Sequence, residues 1–393
     1  RDRQGARDRV FRRLPLPGRR LRVGYVSGDF RTHAVSYFVE QLFTHHDRER
    51  IELFAYPTSM ERDAVTSRLQ ALSEHWLPLT GGTDSAVRDR IDADGIDVLV
   101  DLKGHTQDSC LAVMAYRAAP APVRWLAFPG TSGLHCIDYF IGDPVTTPLS
   151  HAAHYTECIA QMPHCYQPND SQRARPAPSD RLQWGLPKQA LVLGCFNQSF
   201  KLTPETFGAW MRILQAVPSA VLWLLHDNPQ ATANLRRAAA HAGTDPDRLI
   251  FAPKASVSDH LARLPLADLM LDNWPCNAHT TASDALWMGV PLATVIGETF
   301  ASRVAASLLT AVDLESLVFA DAATYESGVI ELLQQPERLR AMRDHLQQGR
   351  STFSLFDGAR FAGDLESLYR RMVERSRAGL GPQALAAGPS QSD

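Results

Sequence analysis

The 393-residue chain has no Cys-x-x-Cys pair, no apolar run near the ~20 residues of a membrane helix, and no large charge imbalance. Its cysteines, Cys110, Cys136, Cys158, Cys165, Cys195 and Cys276, are too scattered to staple a small secreted fold. That excludes a disulfide scaffold and fits a reducing, cytoplasmic setting. Forty Lys and Arg stand against 43 Asp and Glu, a formal charge of −3, so no global field draws the chain to nucleic acid or to a membrane. Also missing are the Gly-x-Ser-x-Gly elbow of hydrolases, the Gly-x-x-x-x-Gly-Lys phosphate loop and the glycine fingerprint of dinucleotide folds. His151 and His154 have the spacing of a metal pair, but no Cys or acidic ligand stands at matching spacing, and no metal is expected. The Arg-rich opening lacks an apolar leader, and residues 1–20 are read as a basic linker.

What is present is ordinary globular material: 45% hydrophobic and 21% charged residues, over a length that suits two or three domains. Short β-branched and aromatic runs, each followed by a Gly- or Ser-bearing turn and then a helical period, predict βα units. LRVGYVSGDF, GIDVLVDLKG, VRWLAFPG and DYFIGD read as strands of a first lobe, residues 21–162. ALVLGCF, SAVLWLLH, RLIFAP, ADLMLD and VPLATVI read as strands of a second, residues 188–350. Thr203 is placed to cap that lobe's first helix, with Pro204 at its first position and Phe207, Trp210, Met211, Leu214 and Val217 on one face. The polar, proline-bearing residues 163–187 read as an interlobe linker. Residues 351–378 carry Phe361, Leu365, Leu368, Tyr369 and Met372 at helical spacing and are expected to cross back to the first lobe. Residues 379–393 are small and polar and are expected to be disordered. The fold class is α/β: two Rossmann-like lobes facing across a cleft, where such sheets hold nucleotide-bearing ligands.

The loops at the strand ends are where chemistry is sought. In LDNWPCNAHTTASDALWMGVP, His279, Thr280 and Thr281 stand just before a helix, whose unpaired amides and dipole suit a diphosphate. The same residues also read as a helix start without a ligand, with Thr281 and Asp284 in a capping box. In GCFNQSFKLTPE, Lys201 can place a charge on a phosphate and Gln198 can read a base or ribose edge, although Lys201 also fits a surface lysine. FAPKASVSDHLARL supplies Ala255, His260 and Arg263, with Lys254 upstream; the cations either approach the same phosphates or are solvated. In the first lobe Ser27, Gly28, Asp29 and His33 follow the first strand, and His33 has the position of an acid, a base or a helix cap. Lys103 and His105, with the loop Pro129 to Gly133, occupy equivalent strand ends and could line the acceptor side.

The blocks LRVGYVSGDFRTHAVSYF, FPGTSG, CFNQSFKLTPETF, NAHTTASDALWMGVP and GETFASRVAAS resemble, in order and over residues 21–375, the catalytic region of O-linked N-acetylglucosamine transferases and the related SPINDLY proteins. The resemblance implies a GT-B fold and an inverting, metal-independent transfer. UDP-N-acetylglucosamine would be a co-substrate rather than a cofactor, and protein Ser or Thr hydroxyls the acceptors. It implies that Gln198 and Lys201 contact the uracil and phosphate side, that His279, Thr280 and Thr281 clamp the diphosphate, and that Asp284 meets the ribose. His260 would stack near the nucleotide. His33 would position or accept the hydroxyl proton, and Asp89 would relay it. Val257 stands where the family carries a nucleotide-side lysine, and a long insertion found between the lobes of animal members is absent. Tetratricopeptide repeats are expected next to this region. The resemblance to SPINDLY also allows GDP-fucose as donor, and the two-lobe fold a UDP-N-acetylglucosamine epimerase or a silent nucleotide-binding scaffold.

Overall fold

The computed structural model describes residues 18–109, 111–169 and 171–388. Most of the basic linker (residues 1–17), Cys110, Asp170 of the interlobe linker and the last five residues of the tail (389–393) lie outside the described residues. The chain forms two compact α/β units, divided after residues 171 and 353.

In the first lobe β1 (Leu21–Ser27), β2 (Ile51–Pro57), β3 (His75–Trp76), β4 (Val98–Asp101), β5 (Ala121–Arg124), β6 (Tyr139–Gly142) and β7 (Cys158–Gln161) form one sheet in the order β3-β2-β1-β4-β5-β6-β7. All pairings are parallel. Helices α1 (Ala34–His45), α2 (Ala64–Leu72), α3 (Asp84–Asp94) and α4 (Leu111–Met114) connect the strands. Sheets covered on both faces have uniformly apolar strands, and Val23, Tyr25, Val26, Val98 and Val100 are fully buried. VRWLAFPG was expected as a strand, but β5 is Ala121–Arg124 and Trp125 already lies in the following loop. The buried Arg124 accounts for the early stop, because its guanidinium turns back to the carbonyls of Asp101 and Trp125.

In the second lobe β8 (Leu191–Cys195), β9 (Ala220–His226), β10 (Leu249–Pro253), β11 (Leu269–Leu271), β12 (Leu292–Val295) and β13 (Val318–Phe319) take the order β10-β9-β8-β11-β12-β13, again parallel. The helices are α5 (Pro204–Ala216), α6 (Pro229–His241), α7 (Val257–Arg263), α8 (Thr280–Trp287), α9 (Val304–Thr310), α10 (Ala322–Leu333) and α11 (Pro336–Gly349). Thr203 caps α5 by accepting from the Thr206 amide at 3.2 Å, with Pro204 in the first turn.

Both strand orders reverse direction at one place, between β1 and β4 and between β8 and β11. Connections leave towards opposite sides there, opening a crevice beyond the carboxyl ends of the two strands, where doubly wound sheets bind ligands.

The final helix α12 (Gly358–Arg377) belongs to the first lobe. Its apolar face supplies Phe361, stacked on Trp125 at 6.0 Å, and Tyr369, whose hydroxyl is 3.2 Å from that of Tyr25. Glu366 completes the seam, meeting His46 Nδ1 at 2.8 Å while His46 Nε2 meets the Tyr25 hydroxyl at 2.9 Å. The described part of the tail departs from the disorder expected of it. Leu385 is buried, and its amide and carbonyl bond to Ile159 and Gln161 along the edge of β7. The stretch read as a linker is also packed: Tyr166, Gln167 and Asn169 are buried in the first lobe, and Trp184 lies against the second. Its polarity hid this, because the burial is carried by hydrogen bonds, such as Trp125 Nε1 to the Tyr166 carbonyl at 3.0 Å.

Candidate active site

The crevice loops of the second lobe are built around Asp272, which directly follows β11 and has no solvent exposure. Its carboxylate accepts from the amides of Asn273 (2.9 Å) and Ala278 (2.7 Å) and from the Thr294 hydroxyl (2.7 Å), so residues 273–278 wrap around it. Burial pushes its pKa up to about 7, against the pull of those hydrogen bonds and of Lys201. The loop after β8 is tied to this one. Asn197 donates to the Asn273 side chain and accepts from the Thr281 hydroxyl at 2.7 Å. Asn273 donates to the Lys201 carbonyl at 3.2 Å, and the Lys201 ammonium donates to the Asn277 carbonyl at 3.3 Å.

Lys201, His279 and Thr281 are thereby brought to one place, at the start of α8. His279 occupies the capping position without making a side-chain cap, and its imidazole is pushed down to about 3 by burial and by the Lys201 charge. It is neutral at physiological pH, with an Nε2 atom that is buried and has no hydrogen-bond partner. Thr280 and Thr281 open the helix, and the first helical amides to find carbonyls are those of Ala282 and Ser283, both bonded to His279. Helix-start amides without carbonyl partners and a nearby ammonium are the groups by which helix starts hold anions. The alternative capping box does not form, because Thr281 is committed to Asn197 and Asp284 to Arg173, 2.7 Å away.

Asp284 and His260 also meet: His260 Nε2 is 3.8 Å from the Asp284 carboxylate. Burial raises the Asp284 pKa despite Arg173, and lowers that of His260 to about 4. Arg263, expected either to approach the phosphates or to be solvated, is only 2% exposed. Its guanidinium lies 4.4 Å from the Phe196 ring centroid and 5.0 Å from that of Trp184, donates to the Pro253 carbonyl and holds His260 Nδ1 at 3.0–3.2 Å. It therefore orients His260. Ala255 is half-buried just ahead of α7, and Gln198 is exposed at the head of the short turn Ser199–Lys201, with no side-chain bond across that turn. Asn197, Asn273 and Arg173 were missed by sequence reasoning. Arg173 sits in the stretch read as linker, and nothing in its neighbours marks it as a partner for a residue 111 positions on.

The equivalent crevice in the first lobe is organised by Asp101 at the end of β4. Its carboxylate accepts from the amides of Lys103 (3.0 Å) and Gly104 (2.9 Å), turning the chain so that Lys103 reaches Asp29 at 2.6 Å. Gly104 has φ +57°, and a Cβ there would collide with the Arg124 guanidinium. His33 is the N-cap of α1, its Nδ1 accepting from the Val35 amide at 3.3 Å and lying 3.5 Å from the Asp29 carboxylate. Burial lowers its pKa, partly offset by Asp29. The carboxylate beside His33 is thus Asp29 and not Asp89, which is 64% exposed on α3 and paired with its neighbour Arg88. Asp29 stands four residues before His33 in the same loop, whereas Asp89 is at the middle of α3. His151 and His154 lie on an exposed turn with ring centroids 6.0 Å apart, and among the described residues no group of three or more metal-ligating side chains occurs.

The sequence profile of glycosyl transferase family 41 matches residues 9–177 and 171–365. A probable UDP-N-acetylglucosamine–peptide N-acetylglucosaminyltransferase, SEC of Arabidopsis thaliana, is 36% identical over 93% of this chain and 38% of its own length. The corresponding named enzyme of Caenorhabditis elegans is 29% identical over 92% of this chain and 41% of its own. This chain therefore spans about two fifths of the curated relatives it matches. The structure of a mutant Thermobaculum terrenum O-GlcNAc transferase superposes with a TM-score of 0.87 at 34% identity, covering 93% of this chain and 71% of that one. HepE of Anabaena, solved with UDP and glucose, shares the fold at a TM-score of 0.58 and 13% identity, covering 91% of this chain and all of that one. With the profile covering most of its length and a relative above 30% identity along nearly all of it, the chain belongs to glycosyl transferase family 41.

Proposed function

We propose that this chain is the catalytic region of an inverting, metal-independent transferase that moves N-acetylglucosamine from UDP-N-acetylglucosamine to Ser or Thr hydroxyls of proteins. The observation that carries the reading is the convergence of Lys201, the start of α8 and the Thr281 hydroxyl at the β8/β11 switch. It occurs in a chain whose relatives are named as peptide N-acetylglucosaminyltransferases. The acceptors are proteins or peptides, not nucleic acid or a membrane, and a repeat region adjoins this one in the whole cytoplasmic protein.

In this reaction the acceptor oxygen bonds to the anomeric carbon as the bond from that carbon to the β-phosphate oxygen breaks. Its electron pair leaves with UDP, so negative charge grows on the diphosphate through an oxocarbenium-like transition state. Lys201, the amides of Thr280 and Thr281 and the Thr280 hydroxyl stabilise that charge, the work a divalent ion does elsewhere. Asp284 and His260 hold the ribose and base side, with Gln198 and the Ala255 backbone at its edge. His33 positions or accepts the hydroxyl proton.

Calorimetry with UDP and GDP, followed by mass spectrometry of peptides incubated with UDP-N-acetylglucosamine in excess chelator, tests the reading. Uridine-selective binding and transfer under chelation are expected. No affinity for UDP, preference for GDP, or activity lost to chelation and restored by manganese would each overturn it.

A further inference from the structure

Residues 172–179 lie in the stretch whose composition reads as a linker, yet they are fastened to the second lobe along two of its helices. Arg173 lies 2.7 Å from Asp284 Oδ1 on α8, and Arg175 stands over the Trp287 ring at 5.9 Å, one turn further along that helix. Ser179 then donates its amide to the Ala262 carbonyl of α7 at 3.0 Å, and its hydroxyl accepts from Trp184 Nε1 at 2.8 Å. Gln172, Ala174 and Arg175 are exposed, whereas the Arg173 side chain is only 19% exposed. A cation gives up that much hydration only against a compensating charge, and the enclosed Asp284 carboxylate supplies it.

That carboxylate is held through one of its two oxygens. Oδ1 faces Arg173, while Oδ2 faces His260 Nε2 across 3.8 Å, beyond hydrogen-bond length. His260 adds no charge. Arg263 donates to its Nδ1, so its single proton sits on Nε2, and burial together with the Arg263 and Arg173 charges pushes its pKa down to about 4. Arg263 itself is turned to the Pro253 carbonyl and to the Phe196 and Trp184 rings. Among the described residues, the positive charge set against Asp284 is therefore that of Arg173. Burial drives this carboxyl towards its protonated form, and Arg173 opposes that. The difference matters to a ligand, because an ionised carboxylate only accepts hydrogen bonds, whereas a protonated one gives up an oxygen as a donor.

We infer that Arg173 is a positioning residue of the nucleotide site, holding Asp284 as an oriented anion whose Oδ2 accepts from the ribose hydroxyls of the donor. This rests on the transferase reading above and deepens it, since the segment that enters the second lobe then contributes to ribose selectivity. Arg173 acts through Asp284, so its effect falls on nucleotide binding and on which pentose is accepted.

Calorimetry of the full chain with UDP and with 2′,3′-dideoxy-UDP tests it. The parent chain is expected to bind UDP at least about tenfold more tightly, the worth of a hydrogen bond to a charged group. Arg173→Gln should weaken UDP binding and leave dideoxy-UDP nearly unaffected, so that the preference shrinks to about threefold or less. Arg173→Lys, which keeps a charge, should restore part of it. In an Asp284→Asn background Arg173→Gln should change neither affinity further. That pair also covers a failure of Arg173→Gln to fold, because no carboxylate is then left buried without its cation. Undiminished preference in Arg173→Gln, equal weakening of both nucleotides, or a further loss in the double variant overturns the inference. A parent chain that binds no UDP overturns the transferase reading itself. One that transfers sugar yet binds UDP and dideoxy-UDP alike overturns the ribose role alone, which separates the two failures.

Discussion

The Lys103 ammonium lies 2.6 Å from the Asp29 carboxylate, with both side chains at most 4% exposed, joining the loops that follow β1 and β4. The sheet places these loops side by side, and the Asp101 turn aims the lysine. Removing one member of such a pair leaves a buried charge without its partner. Lys103→Met is expected to destabilise the first lobe by about 3–5 kcal/mol, and the double variant with Asp29→Asn to recover part of that loss. Chemical denaturation of the three variants checks this; additive losses would contradict it.

Lys201 is only partly buried, and its ammonium donates to one carbonyl at 3.3 Å. Its removal therefore leaves little behind to destabilise. Lys201→Ala is expected to lower transfer by ~10²-fold or more, as for loss of one preorganised charge-stabilising group, with little change in melting temperature. Turnover near that of the parent chain would remove Lys201 from the diphosphate site.

His279 supplies a pH test that needs no substrate. Its folded pKa is pushed down to about 3, against about 6.5 in an unfolded chain. Between these values the unfolded state holds a proton that the folded state does not, so the residue makes stability fall as pH drops below about 6.5. His279→Gln should flatten the dependence of unfolding free energy on pH between about 4 and 6 by about 1.4 kcal/mol per unit. Equal slopes in parent and variant would mean that the imidazole is not held neutral.

Gly104→Ala probes the turn that carries His105. The left-handed backbone disfavours a side chain, and the added methyl meets Arg124. A loss of about 1–3 kcal/mol is expected from the backbone alone. Chemical denaturation of parent and variant checks this, and equal stabilities would contradict it.

Much of this architecture could be read from residue patterns. LRVGYVS, LVLGC and AVLWLLH are long, apolar and closed by turn residues, and each is a strand. The two-residue strands His75–Trp76 and Val318–Phe319 carry too few side chains for any period to register. In the site, His279, Thr280, Thr281 and Lys201 were legible because a helix start and a strand end announce themselves locally. Asn197, Asn273 and Arg173 were not, since their work lies in reaching residues far along the chain. Arg263 misled for the opposite reason. A cation one helical turn beyond His260 looks like a phosphate ligand until burial shows it enclosed by Phe196 and Trp184.

The return of α12 to the first lobe makes that lobe discontinuous, while residues 172–353 run without interruption through the second. On the ribosome the later half of the sequence can reach its native state first, and the earlier half must wait, with Trp125, Tyr25 and His46 uncovered, until Phe361, Tyr369 and Glu366 have emerged. A stop codon ahead of Gly358 would then injure the opposite end of the polypeptide from the one it shortens.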